Sequence, residues 1–104
     1  MDTTALAIFR YLLSLVSTTQ NAKLDSGGGF MPVVIERIGP DTYSIAHYGQ
    51  QNGDLMADPE MTFRGDGTPL TYQNDYVGIY TKTRDVEFVN LWMRNIAEQQ
   101  GIKL

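Results

Sequence analysis

The sequence predicts a single α+β domain in which an N-terminal helix and a C-terminal helix flank an antiparallel sheet of about four strands, arranged as a meander. Apolar residues recur at helical spacing in both end segments, they alternate between about residues 31 and 81, and turn residues separate the alternating runs. Helices and strands segregated along a chain in this way are typical of α+β domains, with the helices on one face of the sheet. The 104 residues suit one domain, which we take as residues 1–104.

The first helix is expected over residues 3–18, where apolar side chains follow one another at steps of three and four. These side chains are Ala5, Ile8, Phe9, Leu12, Leu15 and Val16. Asp2, Thr3 or Thr4 can cap the first turn, because their oxygens accept from backbone N–H groups that lack a partner inside the helix. Residues 19–30 are polar and end in three glycines, so they are expected to form a flexible linker.

The sheet is expected over residues 31–81. Residues 33–38 and 42–51 are rich in β-branched and aromatic side chains and are separated by the turn sequence Gly39-Pro40-Asp41. Asn52-Gly53 predicts a type I′ turn into a strand over residues 54–64, since both central positions of that turn need positive φ. Residues 76–81 are predicted to be the last strand.

The spacing around the Asn52-Gly53 turn predicts an irregularity in the third strand. Counted strictly from that turn, Ile45 lies opposite Glu60 and His47 lies opposite Asp58, which would separate the apolar residues of the two strands. One extra residue near Asp58-Pro59 returns them to a common face, because a shift of one residue turns every side chain over. We therefore expect a bulge or a loop across residues 55–59.

The second helix is expected over residues 84–100. Val86, Val89, Met93 and Ile96 form one stripe, and Gly101 stands where a helix C-cap belongs. No internal repeat accompanies these elements.

Composition disfavours several classes of function. Twelve acidic against eight basic side chains give a net charge of −4 without a basic cluster, so direct nucleic-acid binding is not expected. The absence of cysteine removes thiolate metal sites and thiol nucleophiles. The first residues lack the positive start of a secretory signal, and no stretch has the length of a membrane span. We expect a cytoplasmic protein with no cofactor and no membrane partner; a homodimer stays an open alternative.

The densest group of chemically active side chains lies between residues 47 and 75. His47, Asp54, Asp58 and Glu60 could bind a divalent cation, which suggests a small metal-dependent hydrolase as one alternative. Their spacing matches no calcium loop, and no serine stands in a nucleophile motif. No catalytic residue is therefore assigned, and these carboxylates would ordinarily serve turns.

The leading hypothesis from the residues is a protein-interaction module with an unidentified protein partner. Tyrosine, asparagine and aspartate are dense in two predicted loops, 48–58 and 72–76, as in protein-binding surfaces. The expected contact residues are Tyr48, Asp54, Asp58, Tyr72, Asn74 and Asp75. A further alternative is an acidic decoy that occupies a DNA-binding protein, although −4 is a low charge for that role.

Two strings of the sequence, HYGQQNGDLMADPEMTF and PLTYQNDYVGIY, resemble a family of small uncharacterised bacterial domains. That family is associated with plasmids and integrative conjugative elements, sometimes within very large multidomain proteins. The similarity covers about residues 31–81. It implies the cytoplasm of a bacterium and a mobile element, and it brings no catalytic residue with it.

Overall fold

The structure, a computed structural model, describes residues 1–104 and contains two helices and one six-stranded antiparallel sheet. The elements in chain order are α1 (Thr3–Ser14), β1 (Asn21–Leu24), β2 (Val33–Gly39), β3 (Thr42–Gln51), β4 (Asp54–Arg64), β5 (Pro69–Asn74), β6 (Ile79–Lys82) and α2 (Val86–Gln100). Each strand pairs with its neighbours in the chain, so the sheet is a meander with β1 and β6 at its edges. The terminal helices of the predicted α+β domain are confirmed, and the prediction of four strands is wrong.

The first additional strand, β1, lies in the segment that the sequence predicted to be a linker. Ala22 lies opposite Ile35 and Leu24 lies opposite Val33, so the two apolar residues of β1 pack against the core. Four residues with only two apolar positions are too short to show a period of two, which is why the pattern did not reveal this strand.

The second additional strand arises because the segment after residue 68 forms a hairpin. β5 covers Pro69–Asn74, the turn covers residues 75–78, and β6 begins only at Ile79. Gly78 has a φ of 70°, which suits a turn residue and not the middle of the strand predicted over residues 76–81.

The irregularity predicted in β4 is confirmed as a β-bulge. Asn52 and Gly53 have φ values of 53° and 85°, as the predicted type I′ turn requires. Between two paired positions, β3 contributes only His47, whereas β4 contributes Asp58 and Pro59. The extra residue places Ile45 opposite Met61 and Tyr43 opposite Phe63, which brings the apolar side chains of both strands to one face.

Both helices cover the same face of the sheet and form one core with it. The core side chains on the helix side are Ala5, Ile8, Phe9 and Leu12 of α1, Val16 just after α1, and Val89, Trp92, Met93 and Ile96 of α2. Those of the sheet are Val33, Ile35, Ile45, Met61 and Phe63. The opposite face of the sheet carries no helix, and we call it the open face.

The residues at the helix ends show which helix boundaries can be recognised from the sequence. Asp2 caps α1 by accepting from the backbone N–H of Ala5 at 2.8 Å, as one of the predicted caps. α1 ends at Ser14 and not at residue 18, because the next backbone N–H groups bond to carbonyls three residues back in a tightening turn. α2 begins at Val86, and Gly101 ends it with a left-handed φ of 68°. Neither helix combines the length and apolar character that crossing a membrane requires.

Candidate functional site

Three of the six predicted contact residues lie together at the bulge of β4. Asp75 accepts from the backbone N–H of Ala57 at 2.7 Å, and its own backbone N–H donates to the Ala57 carbonyl at 2.9 Å. Asn74 donates to Asp58 Oδ1 at 3.0 Å, and Gln73 donates to Asp75 Oδ1 at 2.7 Å. We call this group the bulge clamp, because it ties the β5–β6 turn to the irregular part of β4.

The bulge clamp is expected to stabilise the domain through the Asp75 carboxylate. Hydrogen bonds from Gln73 and from the backbone N–H of Ala57 lower the pKa of Asp75. This contribution is present above the pKa of an unfolded aspartate and is lost as the pH falls through the lower folded value. Asp75→Ala should therefore lower the Tm at neutral pH and speed amide hydrogen exchange at Ala57. Asp54→Ala is the matched control, and equal Tm changes in the two variants would contradict the clamp.

The other three predicted contact residues lie in different places. Tyr72 faces the helices and packs edge-to-face on Phe88, with ring centroids 5.7 Å apart. Tyr48 is half-buried on the open face near Glu60, and Asp54 is exposed at the start of β4. The structure therefore joins Asp58, Asn74 and Asp75 but does not gather all six residues into one surface.

The open-face position of Tyr48 gives it an unusual titration. Burial first, and then the negative charge of Glu60, raise the pKa of Tyr48 to about 12. An unfolded tyrosine ionises near pH 10, so the stability linked to this group is present below about pH 10 and is lost as the pH rises toward about 12. A pH titration followed by near-ultraviolet absorbance should show one tyrosine that ionises later than the others. This late ionisation should be absent in Tyr48→Phe and present in Tyr80→Phe. A Tyr48 midpoint near 10 would contradict this.

The alternative metal site is not assembled. No group of three or more histidine and carboxylate side chains is close enough to hold a metal ion. Strand alternation explains this result: His47 lies under α2, whereas Glu60 lies on the open face and accepts from Ser44 Oγ at 2.9 Å. The four residues of the alternative cation site, His47, Asp54, Asp58 and Glu60, thus lie on two faces of the sheet and at a hairpin end and do not form one cluster.

A surface that the sequence analysis did not single out lies along β6. All four residues of this strand are exposed, and Tyr80 keeps 72% of its surface accessible. The turn before it adds Val77, which is 65% exposed, whereas the Tyr76 ring lies against Gly49 of β3. We call β6 together with Val77 the binding edge. Its signal in the sequence was the apolar run YVGIY without a partner strand after it.

The backbone N–H and C=O groups on the outer side of β6 have no partner strand. Thr83 donates its backbone N–H to the Leu70 carbonyl at 3.1 Å, so Thr83 faces β5. Backbone groups alternate in direction along an antiparallel ladder, so Thr81 and Ile79 also face β5, whereas Tyr80 and Lys82 direct theirs outward. The outer edge of the sheet therefore presents the N–H and C=O groups of Tyr80 and Lys82, of which the Lys82 carbonyl already accepts one hydrogen bond, from Thr81 Oγ1 at 3.1 Å.

The opposite edge of the sheet, β1, differs from β6 in which of its side chains are packed in the core and which are exposed. Ala22 and Leu24 pack against the core, and the outward positions carry the polar side chains Asn21 and Lys23. A lysine within a very short edge strand discourages pairing with another chain. β6 is equally short and also carries one lysine, but its apolar side chains Ile79 and Tyr80 are exposed, so it is the edge with accessible apolar surface.

A cationic cleft adjoins the C-terminal end of β6. Its charged lining consists of Arg64, Lys82 and Arg84, and the rest of it consists of Thr68, Pro69, Leu70, Thr71 and Thr83. None of the three cations forms a salt bridge, since the salt bridge of this structure joins Asp2 to Arg94. The Asp66 carboxylate lies close enough to Arg64 to feel its charge: hydrogen bonds from Thr68 first, and then the charge of Arg64, lower the pKa of Asp66.

Comparison with known proteins gives a family but no relative of known function. One family model, described as Domain of unknown function (DUF6908), matches residues 4–102. Neither the curated proteins nor the solved structures gave a match.

Proposed function

The chain belongs to this family of unknown function, and from its geometry we propose that it is a protein-interaction domain that binds an extended, acidic segment of a partner protein along β6. The observation that carries the proposal is the free outer edge of β6, where all four residues are exposed.

Backbone pairing supplies the first contribution to binding. The outward N–H and C=O groups of Tyr80 and Lys82 match those of an extended segment, which can add to the sheet as a further strand. β6 is already an extended strand before a partner binds, because it pairs with β5 over four positions.

Apolar side chains supply the second contribution. Tyr80 stands on the open face and Ile79 on the helix-covered face, so the two faces of an added strand each meet an exposed apolar side chain. Val77 extends this surface beyond the N-terminal end of β6. Tyrosine is enriched where protein interfaces bind most strongly, because its ring is large and its hydroxyl stays polar.

The charge of the cleft selects the partner. Arg64, Lys82 and Arg84 are three of eight basic residues in a chain of net charge −4, and they surround one cleft without a salt bridge. A segment that runs along β6 passes this cleft at Lys82, where aspartate or glutamate side chains would meet unpaired cations. Charge complementarity of this kind raises the rate and the selectivity of association.

The test is a selection of short peptides from a random-sequence display library on the wild-type protein. The selected peptides should be rich in aspartate and glutamate and should bind Lys82→Ala. They should bind Lys82→Pro at least ~10-fold more weakly, which corresponds to about 1.4 kcal/mol. Both variants lose the lysine charge. The difference between their peptide affinities therefore reports the loss of the outward backbone N–H together with the added proline ring.

Two results would overturn the proposal. Equal binding to Lys82→Pro and Lys82→Ala would show that β6 does not pair with the peptide. Selected peptides without acidic enrichment, unaffected by Arg84→Glu, would show that the cleft does not choose the partner.

The resemblance implies a cellular and genetic context for the proposed interaction. A bacterial cytoplasm and a mobile element are what the similar strings imply, and both stay predictions. An interaction domain suits that setting, since a small domain that binds one segment can act on a larger protein.

A further inference from the structure

The cationic cleft at the C-terminal end of β6 holds three positive charges, more than one carboxylate of a bound segment can balance. Arg64 and Lys82 stand on the open face, on the strands to either side of β5. Neighbouring strands lie about 4.8 Å apart, so roughly 10 Å separates the backbones of β4 and β6. Arg84 follows β6 in the connection to α2. A single anionic group in the cleft therefore has long cationic side chains on several sides.

The donor groups of these three side chains have no acceptor within the protein. None of Arg64, Lys82 and Arg84 forms a hydrogen bond or a salt bridge, whereas the Arg94 side chain has both. Two aspartates that are close to them in the sequence, at positions 66 and 85, accept from backbone N–H groups and do not line the cleft. The cations are thus available to a ligand.

Thr83 adds a neutral donor to the same cleft. Its backbone N–H donates to the Leu70 carbonyl at 3.1 Å, which fixes the residue beside β5. Its Oγ1 accepts from the backbone N–H of Asp85 at 3.2 Å, so the hydroxyl proton has no acceptor in the protein and can be donated. A ligand with several acceptor oxygens can bind this hydroxyl and the cations together.

This combination favours a phosphate group over a carboxylate. A phosphorylated side chain carries about −1.5 to −2 charges at pH 7 and has three acceptor oxygens, whereas a glutamate carries a single charge. Arginine binds phosphate through two parallel N–H···O bonds, which a guanidinium without other partners can form. The cleft has a volume of about 660 Å³, within the range of ligand pockets, so it admits the larger group.

The position of Lys82 connects the cleft to the binding edge. Its outward backbone groups are those proposed to pair with an added strand, and directly opposite residues of paired strands place their side chains on the same face. The partner residue opposite Lys82 therefore directs its side chain over the open face, beside the cleft. A nucleic-acid strand would bring a series of phosphates to a chain of net charge −4 with one such cluster. A single phosphate on a protein segment fits this distribution of charge better.

We propose that the cleft binds the phosphate of a phosphorylated serine or threonine in the partner segment, at the position opposite Lys82. This inference rests on the proposed strand addition at β6, and it makes phosphorylation of the partner the event that strengthens binding. Lys82 and Arg84 bind the phosphate oxygens, Arg64 approaches from the far side of the cleft, and Thr83 donates its hydroxyl proton.

The first experiment tests the cleft without any strand pairing. The probes are N-acetyl-phosphoserine amide and N-acetyl-glutamate amide, titrated while the NMR signals of the Arg64 and Arg84 Nε–H groups and of the Thr83 amide are followed. Phosphoserine should shift these signals at a concentration ~5-fold or more below that needed for glutamate, because it adds charge and acceptor oxygens. Equal titrations would overturn the inference. Shifts with inorganic phosphate but none with phosphoserine amide would mark a site for free phosphate and would overturn it as well.

The second experiment uses an acidic peptide from the display selection, synthesised with serine, glutamate or phosphoserine at each acidic position in turn. At one position phosphoserine should bind at least ~10-fold more tightly than serine, through added charge-assisted hydrogen bonds. Arg64→Gln and Arg84→Gln should each remove most of this gain. Arg10→Gln, which removes an exposed cation of α1 outside the cleft, should keep it.

The outcomes separate this inference from the proposed function. No gain from phosphoserine at any position, with Lys82→Pro still weaker than Lys82→Ala, would overturn the phosphate site and leave strand addition standing. Binding of phosphoserine amide to the cleft, with equal peptide binding to the two Lys82 variants, would overturn strand addition and keep the phosphate site. A single-stranded DNA oligonucleotide that binds more tightly than the phosphopeptide would overturn the assignment to a protein segment.

Discussion

Replacing Phe63 with alanine should remove most of the stability of the domain. Phe63 is fully buried at the centre of the sheet, and its ring lies 5.2 Å from that of Phe9 in α1. Truncation of a buried phenylalanine costs about 3–5 kcal/mol, from lost transfer free energy and from the cavity left behind. Small domains have only ~5–15 kcal/mol in total, so Phe63→Ala should bring the protein close to unfolding. Urea unfolding followed by circular dichroism measures the change.

Two further variants make this expectation specific. Phe30→Ala removes the same side chain at a position that is 51% exposed, and it should change the free energy of unfolding by less than about 0.5 kcal/mol. A double-mutant cycle with Phe9→Ala should give a coupling of about 0.5–1.5 kcal/mol, as for other aromatic pairs. A loss below about 1 kcal/mol in Phe63→Ala would contradict the packing of α1 on β4.

Proline at position 81 should destabilise the protein far more than proline at position 82. Thr81 directs its backbone N–H toward β5, opposite Tyr72, whereas Lys82 directs its own outward. Thr81→Pro removes a ladder hydrogen bond and leaves a carbonyl of β5 without its donor, a loss of about 1–3 kcal/mol. Lys82→Pro removes an N–H that has no partner in the domain, and edge strands tolerate proline at such positions.

Chemical unfolding of both variants, with Thr81→Ala and Lys82→Ala as controls for the lost side chains, measures the difference. The same pair fixes which backbone groups of β6 are available to a partner. The opposite order of stability would mean that Thr81 faces outward, and that the two positions proposed to pair with a partner are the wrong ones.

Local chemistry explains why some elements could be predicted from the sequence. Asp2 and Gly101 mark helix ends through their own hydrogen bonding and backbone freedom, and Asn52-Gly53 specifies its turn in the same way. The bulge at Asp58-Pro59 followed from arithmetic, because only one extra residue could bring Met61 and Phe63 to the face of Ile45 and Tyr43.

The two strands that the sequence did not predict depend on distant partners. β1 is a strand because Ala22 and Leu24 lie opposite Ile35 and Val33, and four residues alone do not carry that information. The division between β5 and β6 depends on the bulge clamp, in which Asp75 binds the backbone of Ala57, eighteen residues away. The number of strands is thus determined by tertiary contacts and cannot be read from the local sequence pattern.

The candidate site shows the same limit. The density of polar residues suggested Asn74 and Asp75 as contact residues, and the structure shows that their side-chain atoms are bonded within the fold. β6 is a free edge because no other strand pairs with it, and Trp92 Nε1 is unpaired because no acceptor of the protein lies within hydrogen-bond distance. Neither property can be read from one chain segment, since each depends on the placement of every other element.

The most direct measurement is amide hydrogen exchange at Tyr80 and Lys82, in the protein alone and with a selected acidic peptide. In the free protein both amides should exchange quickly, because their N–H groups face solvent at the edge of the sheet. With peptide bound, both should become protected, while Thr81 changes little because it already bonds to β5. Binding that leaves Tyr80 and Lys82 unprotected would contradict strand addition at β6.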